Sequence, residues 1–288
     1  MIRMLRIELY KTLRTHFFAL SVLISMVFVI MSAVSCLSYY YSDAGIIGAI
    51  KRVEEHGFSQ GIHLGTLYGT WIGGQDISLG GKLFFTLIPL LATIPCGWLL
   101  FEEVHSGYLK TIIPKCGRKK YFLSKAIATF ITGGLAIVIP LIFSLVVISL
   151  FIPAIKPNVI YSHMEFSMWH GDLFSELAFS HPLLFTTVYL CIDFVFAGFF
   201  ACLSITTVFL AKTRAAVVII PFLFITVCDM ARMYLFYISY IEISPIMLMH
   251  PLPLENTATA PVMVAWLTIL SVFTLPFILS RGLKHEIF

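Results

Sequence analysis

The chain has 288 residues, of which 59% are hydrophobic and only 12% charged, with a formal net charge of +4 and a mean hydropathy of +0.95. A water-soluble surface needs far more charge than this, so the composition excludes an ordinary soluble domain. It points instead to an all-α, polytopic membrane protein built as one transmembrane domain over residues 1–288.

Residues 1–14 read as an amphipathic helix. At 100° per residue Ile2, Leu5, Leu9 and Leu13 share one face, while Arg3, Lys11 and Arg14 lie across from it. Such a helix rests in the membrane interface with its basic side toward anionic headgroups. An ordinary basic flank of the first span is the plain alternative.

Six hydrophobic stretches then reach the roughly 20 residues that a hydrocarbon core requires, at 17–41, 83–101, 126–152, 183–211, 215–240 and 261–279. The first is read as a retained helix rather than a cleaved leader, because five spans follow it and an alanine stands where a lipoprotein cleavage box prefers leucine. Lys and Arg collect in cytoplasmic loops. Here they gather before the first span, from Lys110 to Lys125, at Lys212 and Arg214, and at Arg281 and Lys284. The alternate loops carry the acids Asp43, Glu54, Glu55, Asp76, Glu165, Asp172, Glu176, Glu242 and Glu255. Both termini are therefore expected inside. The net positive charge is topological and no sign of nucleic-acid binding.

In the first outside loop, "GFSQGIHLGTLYGTWIGG" repeats glycine at 57, 61, 65, 69 and 73. On a helix, Gly57, Gly61, Gly65, Gly69 and Gly73 would form a winding groove for close backbone approach. A flexible Gly-rich loop is the other reading, since each glycine costs about 1 kcal/mol against alanine in a helix. The same loop ends in "GGKL", which lacks both the earlier glycine and the Ser/Thr of a phosphate-binding loop. No cofactor site is expected on the chain itself. Residues 242–260, with three prolines, suggest a short re-entrant or interfacial element.

Three charges interrupt the later spans: Asp193, Asp229 and Arg232. Each costs about 2.5–3.5 kcal/mol at mid-membrane, so partners are expected. Asp229 and Arg232 are three apart on one helix face, and Asp193 lies at a similar depth, so all three are expected to meet. They form either a transport pathway or an interhelical ion pair that fixes packing. Catalytic constellations are absent: there is no HExxH, no GxSxG and no Cys/His set at metal spacing. No enzyme activity or metal site is expected in this chain.

The loop after the second span reads "FEEVHSGYLKTIIPKCGRKKYFLSK". Its pattern predicts a surface helix over 102–113, with Val104, Tyr108 and Ile112 on one face, ended by Pro114 and Gly117. Acids precede it and bases follow. A positive-inside flank explains the bases but not the paired acids Glu102 and Glu103.

This order of Glu102-Glu103, Gly107, Leu109, Ile112-Ile113, Pro114 and then "GRKKYFLSK" resembles the first cytoplasmic loop of type-2 ABC exporter permease subunits. Pro114 sits slightly earlier than that family's usual proline. The resemblance extends to six spans, an amphipathic N-terminal helix and a broken segment between spans five and six. It implies that 102–113 is a coupling helix seated on a separate ATPase subunit, with Glu102, Glu103, Gly107, Tyr108 and Ile112 transmitting its motion. Arg118, Lys119 and Lys120 would anchor the loop to the membrane surface. It further implies a dimer with a second permease copy or paralogue and two cytoplasmic ATPase subunits, which would bind ATP and Mg. The Lys-rich style resembles permeases that export, or protect against, antimicrobial peptides such as lantibiotics. Two other classes remain open: an ion-coupled secondary transporter using Asp193, Asp229 and Arg232, and a non-transporting membrane scaffold or sensor.

Overall fold

The computed structural model describes residues 1–56, 65–74, 78–157, 168, 171–235, 241–252 and 257–284. The helices in chain order are α1 (Ile2–Leu13), α2 (His16–Tyr41), α3 (Ile46–His56), α4 (Leu67–Thr70), α5 (Leu79–His105) and α6 (Tyr108–Cys116). They continue with α7 (Arg118–Ser149), α8 (Ser175–Ser180), α9 (Pro182–Val208), α10 (Arg214–Leu235) and α11 (Ala260–Lys284). A 3₁₀ turn at Met247–Met249 precedes α11. Among the described residues there is no strand, only an isolated bridge between Ile241 and Thr257.

Five helices, α2, α5, α7, α9 and α10, are long and apolar enough to cross a membrane. α11 is apolar over Ala260–Thr274, the continuous part of it whose side chains are described. The side chains are sorted in the sense a lipid solvent demands. On α2 the serines Ser21, Ser25 and Ser32 are buried, while Leu20, Leu23, Val27 and Ile30 are exposed. On α10, Ile219, Leu223, Phe224 and Val227 are likewise exposed. Between helices in lipid, small and weakly polar residues permit close packing, and leucine gains nothing by turning inward.

The spans differ from the sequence expectation mainly at their ends. α5 begins at Leu79 because Ser78 caps it, accepting the Gly81 amide at 3.1 Å. It also runs past 101 to His105, carrying Glu102 and Glu103 within the spanning helix. α7 starts at Arg118, so the bases 118–120 are its first turn rather than a separate loop. The predicted surface helix over 102–113 is thereby corrected. Its first residues belong to α5, and the short helix proper is α6.

Two glycines explain that division. Gly107 takes the left-handed conformation (φ 76°), which ends α5 one residue beyond Ser106, and α6 starts from it. Pro114 does not end α6, contrary to expectation. So late in a short helix its missing amide forfeits only one bond, and Gly117 still donates to Ile113 O at 2.9 Å. Gly117 (φ 79°) makes the break.

Successive long helices run antiparallel. Phe17 packs edge-on against Trp98 with ring centroids 4.4 Å apart, and Ser21 Oγ donates to Leu91 O at 2.7 Å, while Gly80 abuts the backbone of Ser32. The most extensive contact is between α7 and α9. It is made possible by glycine: a Cβ on Gly133 would stand 2.3 Å from that of Ala201, and one on Gly198 would stand 2.7 Å from the Phe130 ring. The close-packing glycines are therefore in the spans. In the segment between α3 and α5, Gly57 and Gly61 lie outside the described residues. Gly65 precedes the one-turn helix α4, Gly69 lies in it and Gly73 turns after it, so the described part of the series is not one helix. There the chain folds around Trp71 and Ile72, both buried, and the Gly74 amide closes the turn on Trp71 O at 2.7 Å.

This packing makes a prediction. Gly133→Val should destabilise the protein by about 1–3 kcal/mol through overpacking, read as a lowered thermal midpoint in detergent. Ile139→Val, on the exposed side of the same helix, should leave the midpoint unchanged. Equal effects would mean that α7 and α9 do not meet at Gly133.

Candidate functional site

Three segments converge where α5 ends and α7 begins. The last turn of α5 presents Glu103. The i, i+4 face of α7 presents Tyr121 and Lys125, and the i, i+3 face of α1 presents Glu8 and Lys11. Lys125 Nζ lies 2.8 Å from Glu8 Oε2 and 2.8 Å from Glu103 Oε2. Tyr121 donates its hydroxyl proton to Glu103 Oε2 at 2.5 Å, and Lys11 donates to Glu103 Oε1. Lys11 also lies over the Tyr108 ring, 4.6 Å from its centroid. Glu8, Tyr121 and Lys125 are each at most 1% exposed and Glu103 is 4% exposed. Two carboxylates and two ammonium groups thus neutralise one another; Lys11 is partly exposed, while Glu8, Glu103 and Lys125 lie in a water-poor site where an unpaired charge would be very costly.

The acid pair of the sequence is split by this geometry. Glu103 turns inward, to the charge knot. Glu102 points out and pairs with Arg214 Nη1 of α10 at 2.9 Å, both groups being substantially solvent-exposed. An exposed pair of that kind contributes about 0–1 kcal/mol. A cavity of about 510 Å³ opens beside it, rimmed by Lys11, Glu102, His105, Tyr108 and Arg214. On α6, Leu109 is buried, and Tyr108 and Ile112 are half-buried on the same underside. Lys119 and Lys120 are exposed and Arg118 is half-buried.

The sequence reading places Glu103 at a docking surface and singles out neither Glu8 and Lys11 as members of its charge cluster nor Arg214 as the partner of Glu102. One signal was present. Glu8 is the sole acid among the first 42 residues, and on the helical wheel it lies away from Arg3, Arg6 and Arg14. An acid alone on the inward side of a basic helix calls for a buried cation.

At the opposite end, Arg232 is satisfied by Glu242. Its Nη1 donates to Glu242 Oε2 at 2.8 Å, while Asp229 Oδ1 lies 3.9 Å from its Nε. Ser244 donates to Asp229, and its own amide donates to Glu242 Oε1 at 2.9 Å. Asp193 does not join them: it is buried on α9, and its Oδ1 has no hydrogen-bond partner among the described residues. The expected meeting of three charges is corrected to a pair plus a loop. The anchoring acid comes from the segment that follows α10, which is buried from Glu242 to Leu252 except for half-buried Ile243 and Met247. Trp266 Nε1 ties that segment to α11 through Ile243 O at 2.6 Å. Among the described residues no group of three or more His, Cys, Asp or Glu is placed to hold a metal.

His250 in this segment stacks on Phe85, with centroids 3.6 Å apart. Burial, and secondarily the charge of Arg232, push its pKa down from 6.5 to about 3. The unfolded chain then binds a proton that the folded chain refuses over that interval, so stability falls as pH drops from 6.5 toward 3. His250→Phe should flatten that decline in a pH series of thermal midpoints. An unchanged slope would show that His250 titrates normally.

Fold and side-chain sorting together define a multi-pass helical membrane protein, with a neutral charge knot at one end and a buried loop at the other. The chain matches no protein-family model, no curated protein and no solved structure.

The knot carries its own test. Lys125→Met leaves the buried Glu8 without a cation and should cost about 3–5 kcal/mol; Glu103→Gln leaves Lys125 paired with Glu8 and frees only the partly exposed Lys11, so it should cost less, and Glu102→Gln should cost under about 1 kcal/mol. Unfolding in detergent measures all three. Similar small losses throughout would contradict the buried knot.

Proposed function

We propose that the chain is the membrane-spanning permease subunit of an ATP-driven exporter of the type-2 ABC kind. The observation that carries this reading is α6: a short amphipathic helix between two spanning helices, bounded by Gly107 and Gly117, with its apolar underside on the bundle and its polar face outward. The distribution of bases supports six spans with both ends in the cytoplasm of a bacterial cell. In this reading α6 is the coupling helix. A dimer of permeases carries two cytoplasmic ATPase subunits that bind ATP and Mg, and their closure presses on α6.

The charge knot gives that pressure a route. Glu103, four residues before Gly107, is fastened to α7 through Lys125 and Tyr121 and to α1 through Lys11. A push on α6 is then shared by the start of α7 and by α1 rather than absorbed in a loose loop. α1 suits the interface, because three stripes divide it. Met4, Glu8 and Thr12 are buried against the protein, Ile2, Leu5, Leu9 and Leu13 form an apolar stripe, and Arg3, Arg6 and Arg14 are exposed. The substrate class proposed is a peptide or other amphipathic molecule, matching the acid-rich outer loops. An ion-coupled mechanism would use Asp193, Asp229 and Arg232 as a set. With Arg232 held by Glu242 and Asp193 apart, no observation favours it, and none favours a passive scaffold.

Purification in mild detergent from its native membrane, followed by a search for a bound ATPase subunit, tests the reading. Wild type should retain an ATPase and stimulate its ATP hydrolysis. Gly107→Val, strained at φ 76°, should retain the subunit but lose most of the stimulation. Failure of wild type to hold any ATPase would contradict the proposal.

A further inference from the structure

The cavity of about 510 Å³ beside the charge knot is walled by the end of α5, with Lys11 of α1, Tyr108 of α6 and Arg214 of α10 around it. Its level in the membrane follows from the order of residues along α5. Leu99 and Phe101 line it where the apolar stretch finishes, and Glu102, His105 and Ser106 line it in the turn beyond. Trp98, packed on Phe17, stands at that boundary, and an indole favours the membrane–water interface. α1 exposes apolar side chains and arginines together, as a helix lying in the headgroup layer does. The cavity therefore lies at the depth of lipid headgroups.

Its lining holds two cations and two carboxylates. Arg214 Nη1 meets Glu102 Oε1 at 2.9 Å, and the two side chains are 60% and 42% exposed. Such a pair contributes only about 0–1 kcal/mol, so a ligand that offers each member a new partner separates it at little cost. Lys11 gives one of its three donors to Glu103 and is partly exposed, so a further donor serves an incoming anion. Glu103 itself stays committed to Lys125 and Tyr121. His105 Nδ1 donates to Phe101 O at 2.9 Å, which leaves Nε2 of the neutral ring as an acceptor. Donors for an anion, Arg214 and Lys11, thus stand around one cavity with acceptors for a cation, Glu102 and His105. A lone anion would face Glu102, and a lone cation would face Arg214. A ligand that carries a phosphate and a primary ammonium on a short tether satisfies both.

We infer that this cavity binds the phosphoethanolamine headgroup of a membrane phospholipid, with Arg214 and Lys11 on the phosphate and Glu102 and His105 on the ammonium. A choline headgroup lacks the N–H donors that Glu102 and His105 accept. A glycerol headgroup leaves Glu102 facing like charge. The bound lipid ties the start of α10 to the ends of α5 and α1, in place of one exposed ion pair. The site stands independently of the exporter reading.

The test uses the full-length protein, stripped of lipid in detergent, and reads lipid retention by native mass spectrometry together with thermal midpoints. The probes are phosphatidylethanolamine, phosphatidylcholine and phosphatidylglycerol of one chain length, and water-soluble phosphoethanolamine. Phosphatidylethanolamine should be retained preferentially and should raise the wild-type midpoint by about 2–4 °C more than the other lipids do. Arg214→Gln and Glu102→Gln should each lose that preference, while their lipid-free midpoints stay near wild type because the pair is exposed. Lys120→Gln, exposed on α7 and outside the lining, should keep it. Equal effects of the three lipids, or none from any, would overturn the inference. A preference for phosphatidylglycerol that survives Arg214→Gln would overturn it in favour of the exposed arginines of α1. An equal rise with soluble phosphoethanolamine would overturn the lipid as the ligand.

Discussion

Lys125 holds its ammonium group between two buried carboxylates, and the end of the molecule that bears α6 is organised by that contact. A lysine removed from water needs near-perfect compensation. Glu8 supplies one oxygen from α1, and Glu103 supplies one from α5, 117 and 22 residues away in sequence respectively. Three consequences follow. α5 keeps its helical hydrogen bonds beyond its apolar stretch, because Glu103 must reach inward. α7 begins within the basic run, because Tyr121 and Lys125 must share a face. α1, too short to be stable alone in water, is held against the bundle by Glu8 and Lys11.

The two ends of the bundle solve the problem of polar groups in different ways. At the α6 end the charges are paired directly between helices. At the other end they are paired with a non-helical segment whose backbone is itself buried: Ser244 accepts from the Ile246 and Met247 amides at 3.2 and 3.3 Å and donates to Asp229. Irregular backbone at such depth is tolerated only where protein encloses it. Between the ends, α7 and α9 approach through Gly133, Gly134, Ala197, Gly198 and Ala201, which gives the middle of the bundle its rigidity. Asp193 is the exception, a buried carboxyl whose Oδ1 lacks a partner among the described residues.

Long apolar runs made the spanning helices legible in the sequence, because lipid imposes a minimum length on each. Their ends were not, since those depend on Ser78 capping α5 and on Gly107 and Gly117 adopting positive φ. That a short amphipathic helix lies between α5 and α7 was legible from Tyr108 and Ile112, whereas Val104, assigned to it, belongs to the end of α5. The role of Glu103 was not. Adjacent acids look alike in a sequence, and only the packing of α1 and α7 sends one inward and leaves the other at Arg214. For the same reason Arg232 seemed to belong with Asp193, because nothing in the sequence brings Glu242 back beside α10. The glycine series at 57–73 drew attention by its period, yet the tightest helix contacts are at Gly133 and Gly198, where no period advertises them.

The central claim is that Lys125, held between Glu8 and Glu103, fastens α1 to the bundle, and amide hydrogen exchange tests it most directly. Wild type and Lys125→Met would be compared in the same detergent, following peptides from α1 and, as an internal reference, from α9. The account predicts that the variant loses protection throughout α1 while α9 stays protected. Equal protection of α1 in both proteins would contradict it.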